Sequence, residues 1–189
     1  MLNRDNTIQS IKNNKVEEHF GIKIQELSFV KKINLRFNPN NKKYMSSCGN
    51  ILGTILPLKP NTYSKTKKVK VIWLGPDEWL IDNDDSSFLK LQNKTSDLES
   101  SVTDVSESRT IIRISGKKII VLLSKFLVLD LEKNLSTDSS CAQTLFVKVP
   151  VLLVRNHYDG TPEIDIFANR SHANYIYNLL VDGTKNLDF

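Results

Sequence analysis

The sequence predicts an α+β fold of two consecutive βαββα units, with antiparallel sheets covered by helices. Three observations carry that expectation. Apolar residues alternate with period 2 in some short runs and recur at helical spacing in others. Clusters of Gly, Pro, Asn and Asp separate the runs. The order of elements read over residues 24–100 then repeats over 101–183. The 189 residues, 40% hydrophobic and 25% charged, are enough for one well-buried core or two very small ones.

Residues 1–23 are polar and weakly periodic, anchored by Ile8, Ile11, Val16 and Phe20, and read as an arm ordered in part on the domain or on a partner. From Ile24 the pattern is extended, and Ile33, Leu35 and Phe37 alternate with polar residues as in a half-buried strand. Asn38-Pro39 stops that strand and can serve as N-cap and first residue of a helix. Tyr44, Cys48, Ile51, Leu52 and Ile55 form its apolar stripe, and Gly53 ends it. Residues 69–74 and 79–81 read as a hairpin around Gly75-Pro76-Asp77-Glu78. Asp84 or Asp85 can cap the next helix, with Phe88, Leu91 and Leu98 on its inner side.

In the second half residues 102–114 read as extended, with Ile112 and Ile114 alternating against Arg113. Gly116 leads into a helix bearing Ile119, Ile120, Leu123, Phe126 and Leu127, although its β-branched residues would also suit a strand. After a loop at 130–140 come strands at 142–155 and 163–167, joined by a turn with Asp159-Gly160. Pro150 requires the first of these to bulge or lie at an edge. Ser171 caps a final helix with Ile176, Leu179 and Leu180 inside and Gly183 past its end, leaving 184–189 as a tail. The sum is one domain over 24–183, made of two interlocked ferredoxin-like halves. Residues 33–37 and 111–115 are its equivalent first strands, each with an arginine, Arg36 or Arg113, opposite the core.

The formal charge is +5, distributed as +10 over residues 1–72, −6 over 73–105 and +1 over 106–189. Twenty of the 26 basic residues are lysine, whereas nucleic-acid readers favour the planar fork of arginine, so nucleic acid is not the expected partner. The segregated charge suits complementary surfaces in an assembly. No apolar run approaches the roughly 18–20 residues of a membrane helix, and residues 1–11 contain no secretory h-region, so a cytoplasmic location is expected.

Catalytic constellations are not found. His19, His157 and His172 lack metal-ligand spacing. Asp82-Asn83-Asp84-Asp85 opens like a calcium loop, but Ser87 and Asn93 stand where the turn glycine and bidentate glutamate belong. No Gly-rich phosphate-binding element exists. Cys48 and Cys141 read as buried free thiols, with no catalytic, cofactor or metal residue assigned. The unusual segment is Trp73-Leu74-Gly75-Pro76-Asp77-Glu78-Trp79-Leu80, which holds both tryptophans. Its hairpin places Trp79 in the core, with Asp77 or Glu78 bonding the turn amides or meeting a basic partner.

At that segment the chain resembles a known family. Asn34-Leu35-Arg36, Leu56-Pro57, Lys59-Pro60-Asn61-Thr62 and Trp73-Leu74-Gly75-Pro76-Asp77-Glu78-Trp79-Leu80 are similar, in order and spacing, to the gamma subunits of heterotetrameric sarcosine oxidase. So are Val102-Thr103-Asp104-Val105-Ser106, Arg109-Thr110, Ile112-Arg113-Ile114-Ser115-Gly116, Leu129-Asp130-Leu131, Cys141-Ala142-Gln143-Thr144, Val149-Pro150-Val151-Leu152-Leu153 and Arg170-Ser171. The likeness runs over about 24–180. This chain departs from it in having Lys117 where many relatives place a proline.

The resemblance implies a bacterial flavoenzyme complex of alpha, beta, gamma and delta chains that oxidises sarcosine to glycine. The one-carbon unit passes to tetrahydrofolate and hydrogen peroxide is released. It further implies FAD, FMN and NAD in the other subunits, a T-protein-like folate-binding fold here, and an accessory role packed on the alpha subunit. Candidate structural or subunit-contact residues are Arg36, Asp77, Glu78, Trp79, Arg109, Arg113 and Arg170. The alternative is a stand-alone folate-binding or aminomethyl-transfer module, for which Asp104 is the nearest acidic candidate.

Overall fold

A computed structural model describes residues 7–8, 17–83, 87–94, 99–156, 160–185 and 187. In chain order the strands are β1 (Glu17–His19), β2 (Ile22–Glu26), β3 (Lys31–Phe37), β4 (Tyr63–Lys65), β5 (Val69–Gly75), β6 (Glu78–Asn83), β7 (Ser100–Asp104), β8 (Arg109–Ser115), β9 (Cys141–Phe146), β10 (Val149–Asn156) and β11 (Glu163–Asn169). The helices are α1 (Lys42–Leu52), α2 (Phe88–Lys94), α3 (Ile119–Ser124), α4 (Leu131–Asn134) and α5 (Ala173–Thr184). The described residues fall into two compact units, one within Val30–Glu107 and one within Met1–Phe29 and Ser108–Phe189.

Each unit has one antiparallel sheet, ordered β4-β5-β6-β3-β7 in the first and β1-β2-β8-β11-β10-β9 in the second. Written as β9-β10-β11-β8-β2, the second repeats the first strand for strand. One detail is not that of a tandem repeat: β2 precedes β3 in the chain but pairs with β8, and β7 precedes β8 but pairs with β3. The strand ahead of each repeat is thus built into the sheet of the other. The sequence repeat breaks near residue 100 while the units break after Phe29 and Glu107, and the exchanged strands account for the difference.

In the first unit α1 and α2 pack on the sheet. Ile33, Leu35, Phe37, Val71, Trp79 and Ile81 from the strands meet Tyr44, Cys48, Leu52 and Leu91 from the helices. The cap of α1 is Asn41, whose side chain accepts from the Tyr44 amide, three residues later than Asn38 was expected to act. Asn38 instead accepts from the Asn40 amide, turning the chain before the helix. Gly53 closes the helix in the left-handed conformation at φ 67°, as its position predicts. Ile55, assigned to the stripe, lies past that closure and is 76% exposed. Asp84, Asp85 and Leu98 lie outside the described residues.

In the second unit α3 and α5 cover the sheet through Ile119, Leu122 and Leu123, and through Ala173, Ile176, Tyr177 and Leu180. Both faces of β8, β10 and β11 are buried, which explains why Ile111-Ile112 and Val151-Leu152-Leu153-Val154 run apolar without alternation.

Several expectations are corrected here. The strand expected at 102–114 is two strands in different sheets, β7 and β8. The strand expected at 142–155 is the hairpin β9–β10, turning at Val147 with φ 57°. Pro150 meets its expectation through the edge rather than a bulge: it stands opposite Leu145 of β9 but beyond the end of the β11 register, so its missing N–H deprives no neighbour of a bond. The loop at 130–140 contains α4, capped by the Asp130 side chain on the Lys133 amide. Ser171 does not cap α5; it sits inside a single 3-10 turn, Arg170–His172, that feeds the helix. Gly183 lies in the last turn of α5 rather than past it. A Cβ there would fall 2.7 Å from the Phe126 ring, and Lys125 Nζ donates to its carbonyl at 2.8 Å.

Residues 17–23, assigned to the arm, belong to β1 and β2, and its anchors divide. Ile8 is fully buried in the second unit's core, Phe20 is 52% exposed, and Ile11 and Val16 are outside the described residues. Glu26, 2% exposed, holds Ile8 in place, accepting from the amides of Thr7 at 3.1 Å and Ile8 at 2.9 Å and from Thr110 Oγ1 at 2.6 Å. Glu26→Ala should cost about 2 kcal/mol, because it orphans those donors. In hydrogen exchange the Thr7 and Ile8 amides should lose protection; unchanged protection would show that Ile8 docks without the carboxylate.

Candidate functional site

The strand order gathers the charged candidates into two groups, one per unit. In the first, β3 and β6 are antiparallel with Arg36 opposite Glu78 and Asn34 opposite Leu80. Glu78 Oε1 accepts from Asn34 Nδ2 at 2.6 Å, and Asp77 Oδ2 lies 3.4 Å from Arg36 Nη2. The acidic pair therefore engages side chains of β3 rather than its own turn amides, while the Asp77 carbonyl accepts from the Phe37 amide. Arg36 and Asp77 are each about half exposed, so their pairing contributes at most about 1 kcal/mol. Together with Asn38, Pro76, Glu99 and Ser101 they line an open cleft of about 680 Å³. Trp79 is fully buried beneath the hairpin, and its indole donates to the Pro57 carbonyl at 2.8 Å.

In the second unit Arg113 sits directly opposite Asp165 in the β8–β11 register. Its guanidinium grips that carboxylate bidentately, Nε at 2.7 Å and Nη2 at 2.9 Å, with Glu163 Oε1 3.3 Å from Nε. The Arg113 side chain is 33% exposed and that of Asp165 1%, so Arg113, which the sequence places opposite the core, is half-buried against its partner. The planar fork matches a carboxylate that its strand buries, and the pair fixes register at the centre of the sheet. Arg113 and Glu163 also line a polar cleft of about 380 Å³ with Lys23, Gln25 and Ser115. Arg109 stands at the other end of β8 opposite Asn169, next to Arg170, whose amide donates to the Ser108 carbonyl.

The structure thus joins Arg36, Asp77 and Glu78 with Trp79 buried on the same hairpin, while Arg113 belongs to the other unit. Sequence reasoning missed Asn34, Glu163, Asp165 and Glu26 as partners. Asp165 interrupts an apolar run at a strand position, which is a signal, but its partner lies 52 residues away and emerges only with the register. Asp104, the candidate for a pterin, is occupied locally. Its Oδ1 accepts from the Ser106 amide at 2.9 Å, and Ser106 Oγ accepts from the Lys32 amide.

No three His, Cys, Asp or Glu side chains converge on a possible metal position among the described residues. Likewise, no helix among them is long and apolar enough to cross a membrane. His19 and His172 are far apart in the chain, and His157 is outside the described residues.

Both cysteines are free and buried. Burial pushes the Cys48 thiol up to about 11 and the Cys141 thiol up to about 12, from an ordinary value of 9.0. Since the folded values lie above the unfolded one, the stability they confer is whole below pH 9 and is lost as pH rises towards 11–12. A thiol reagent at pH 8 should label neither cysteine in the native protein and both in denaturant. Rapid labelling of the native chain would contradict their burial.

Two antiparallel sheets, each completed by a strand from ahead of the other repeat and covered by helices, define an α+β protein of two ferredoxin-like halves. Residues 38–186 match the model of the sarcosine oxidase gamma subunit family, and the chain belongs to that family. It is 24% identical over 164 residues to the sarcosine oxidase subunit gamma of Corynebacterium sp. (strain P-1), covering 85% of this chain and 79% of that one. It is 27% identical over 135 residues to the gamma subunit of Arthrobacter sp, covering 70% and 66%. A chain of the solved heterotetrameric sarcosine oxidase from Corynebacterium sp. U-96, in complex with pyrrole 2-carboxylate, has the same fold. Its TM-score is 0.80 at 21% identity, over 93% of this chain and 89% of that one.

Proposed function

We propose that this chain is the accessory gamma subunit of a heterotetrameric sarcosine oxidase. The observation that carries the reading is the family match over residues 38–186. The pairing of half-buried Arg113 with the buried Asp165 carboxylate supports a structural rather than catalytic role for both. In this reading the chain packs on the large alpha subunit, beta and delta complete a cytoplasmic complex, and FAD, FMN, NAD and tetrahydrofolate are held by the other chains. The complex oxidises the N-methyl group of sarcosine by two electrons that pass through flavin to dioxygen, reducing it to hydrogen peroxide, while the one-carbon unit passes to tetrahydrofolate and glycine is released. Neither nucleic acid nor membrane is a partner.

The isolated chain is the direct test. Purified alone it should show no flavin absorbance, no sarcosine-dependent peroxide and a flat calorimetric titration with tetrahydrofolate. Turnover of sarcosine by the isolated chain with bound flavin would overturn the accessory role, and a saturable folate isotherm would favour the stand-alone folate module.

A further inference from the structure

The outer face of α1 and the loop after it form an apolar groove of about 920 Å³, which shares Pro39 with the cleft at Arg36 and Asp77. One wall is the helix face at Met45, Ser46 and Gly49; the other is the loop at Ile55, Leu56 and Leu58. Ile55 is 76% and Leu58 60% exposed, so two large aliphatic side chains stand in water at the rim of one groove.

The exposure does not come from a loose loop. The Thr54 amide donates to the Gly49 carbonyl at 3.2 Å, Ser64 Oγ to the Ile55 carbonyl at 2.5 Å, and the Trp79 indole to the Pro57 carbonyl at 2.8 Å. Leu56 and Pro57 are turned inward while Ile55 and Leu58 are held outward. A segment pinned at three points with its aliphatic side chains presented has already met the ordering cost of binding.

The surrounding charge says what fits. From residue 27 to residue 76 the sequence contains no Asp or Glu and ten Lys or Arg. Lys42 belongs to the groove itself, and Lys43 and Lys59 are exposed beside it. An apolar floor with a rim of one sign selects an apolar segment flanked by acidic side chains, with the aliphatic contacts providing affinity and the lysines orientation. Nucleic acid fits poorly, because Ile55 and Leu58 offer neither a phosphate contact nor an aromatic platform.

We infer that this groove is the docking surface for an apolar, acid-flanked segment of another subunit of the assembly. The inference rests on the subunit reading above and adds to it the surface and the chemistry of the partner.

The test is co-expression of the tagged full chain with the other three subunits, followed by quantitation of the chains retained. The variants are Leu58→Glu, Ile55→Glu and the pair Lys42→Glu with Lys59→Glu. Leu89→Glu serves as control, since Leu89 is 67% exposed on α2 and does not line the groove. A hot-spot contact predicts at least a tenfold loss of partner subunits for Leu58→Glu and Ile55→Glu. The lysine pair should lose several-fold, with the wild-type association weakening as salt rises, and Leu89→Glu should match wild type. Matching melting curves of the purified variants confirm that folding is intact.

Retention of the partners by Leu58→Glu and Ile55→Glu, while wild type also retains them, overturns the inference and leaves the subunit reading standing. A wild-type chain that retains no partner overturns both. Lysine variants that shed bound nucleic acid while subunit retention is unchanged also overturn it.

Discussion

Truncating Trp79 to alanine is expected to lower stability by about 3–5 kcal/mol, the range for deleting a fully buried large aromatic. The indole is 0% exposed, lies tilted by 36° against the Phe37 ring with centroids 5.0 Å apart, and stands in register with Leu35 on one side and Trp73 on the other. For a chain of 189 residues that loss lowers Tm by more than about 6 °C. Trp79→Phe separates two contributions. It keeps most of the ring volume but leaves the buried Pro57 carbonyl without its donor, at a cost of about 1–3 kcal/mol. Because Pro57 is one of the three points that pin the loop at 54–58, this milder variant should also speed amide exchange there. Urea unfolding followed by fluorescence of the remaining Trp73 measures the first effect. A Trp79→Ala variant within about 1 kcal/mol of wild type would show that the hairpin does not depend on its indole.

Gly116→Ala is the second large effect, with a backbone rather than side-chain cause. Gly116 has φ 144°, where L residues are strained, and a Cβ there would stand 2.5 Å from the Gly21 carbonyl oxygen and 3.1 Å from Ile22 Cα. Both atoms are main chain of the β1–β2 hairpin, so relief requires β2 to move off β8. The expected loss is about 3 kcal/mol or more, combining strain with lost strand pairing. Gly160→Ala is the control: it is strained at φ 74° but its Cβ would meet nothing within 4 Å, so it should cost only about 1–2 kcal/mol. Equal losses at the two positions would mean that the close approach of β2 at Gly116 carries no weight.

How much could be read beforehand follows from the range of each signal. Period-2 alternation at Ile33, Leu35 and Phe37, the helical stripe at Tyr44, Cys48 and Leu52, the Gly53 terminator and the Gly75-Pro76 turn are local, and each is found where expected. The internal repeat was legible because its elements recur in order. The exchange of β2 and β7 was not, since pairing between β2 and β8 spans nearly ninety residues and no local pattern chooses between β3 and β8 as a partner. Helix starts failed for a different reason: Asn38 and Ser171 are competent caps, but Asn41 and the 3-10 turn at Arg170 satisfy the amides better once the strands fix where the chain enters.

The candidate residues were recognised as types rather than as pairs. Arg36 and Asp77 were both singled out and do meet. Arg113 was singled out without Asp165, because a buried carboxylate within Glu163-Ile164-Asp165-Ile166-Phe167 declares its partner only through the β8–β11 register. Ile55, at the rim of the groove, was misread as part of a helix stripe. The stripe is real up to Leu52, but the left-handed Gly53 redirects the chain and turns the next aliphatic residues outward.

Whether this chain is an integral subunit of a sarcosine oxidase is decided by native mass spectrometry of the co-expressed subunits with and without it. The expected result is a four-chain complex containing one copy of this chain, with sarcosine-dependent peroxide production that is lost or destabilised when the chain is omitted. A fully active three-chain complex that never incorporates it would contradict the claim.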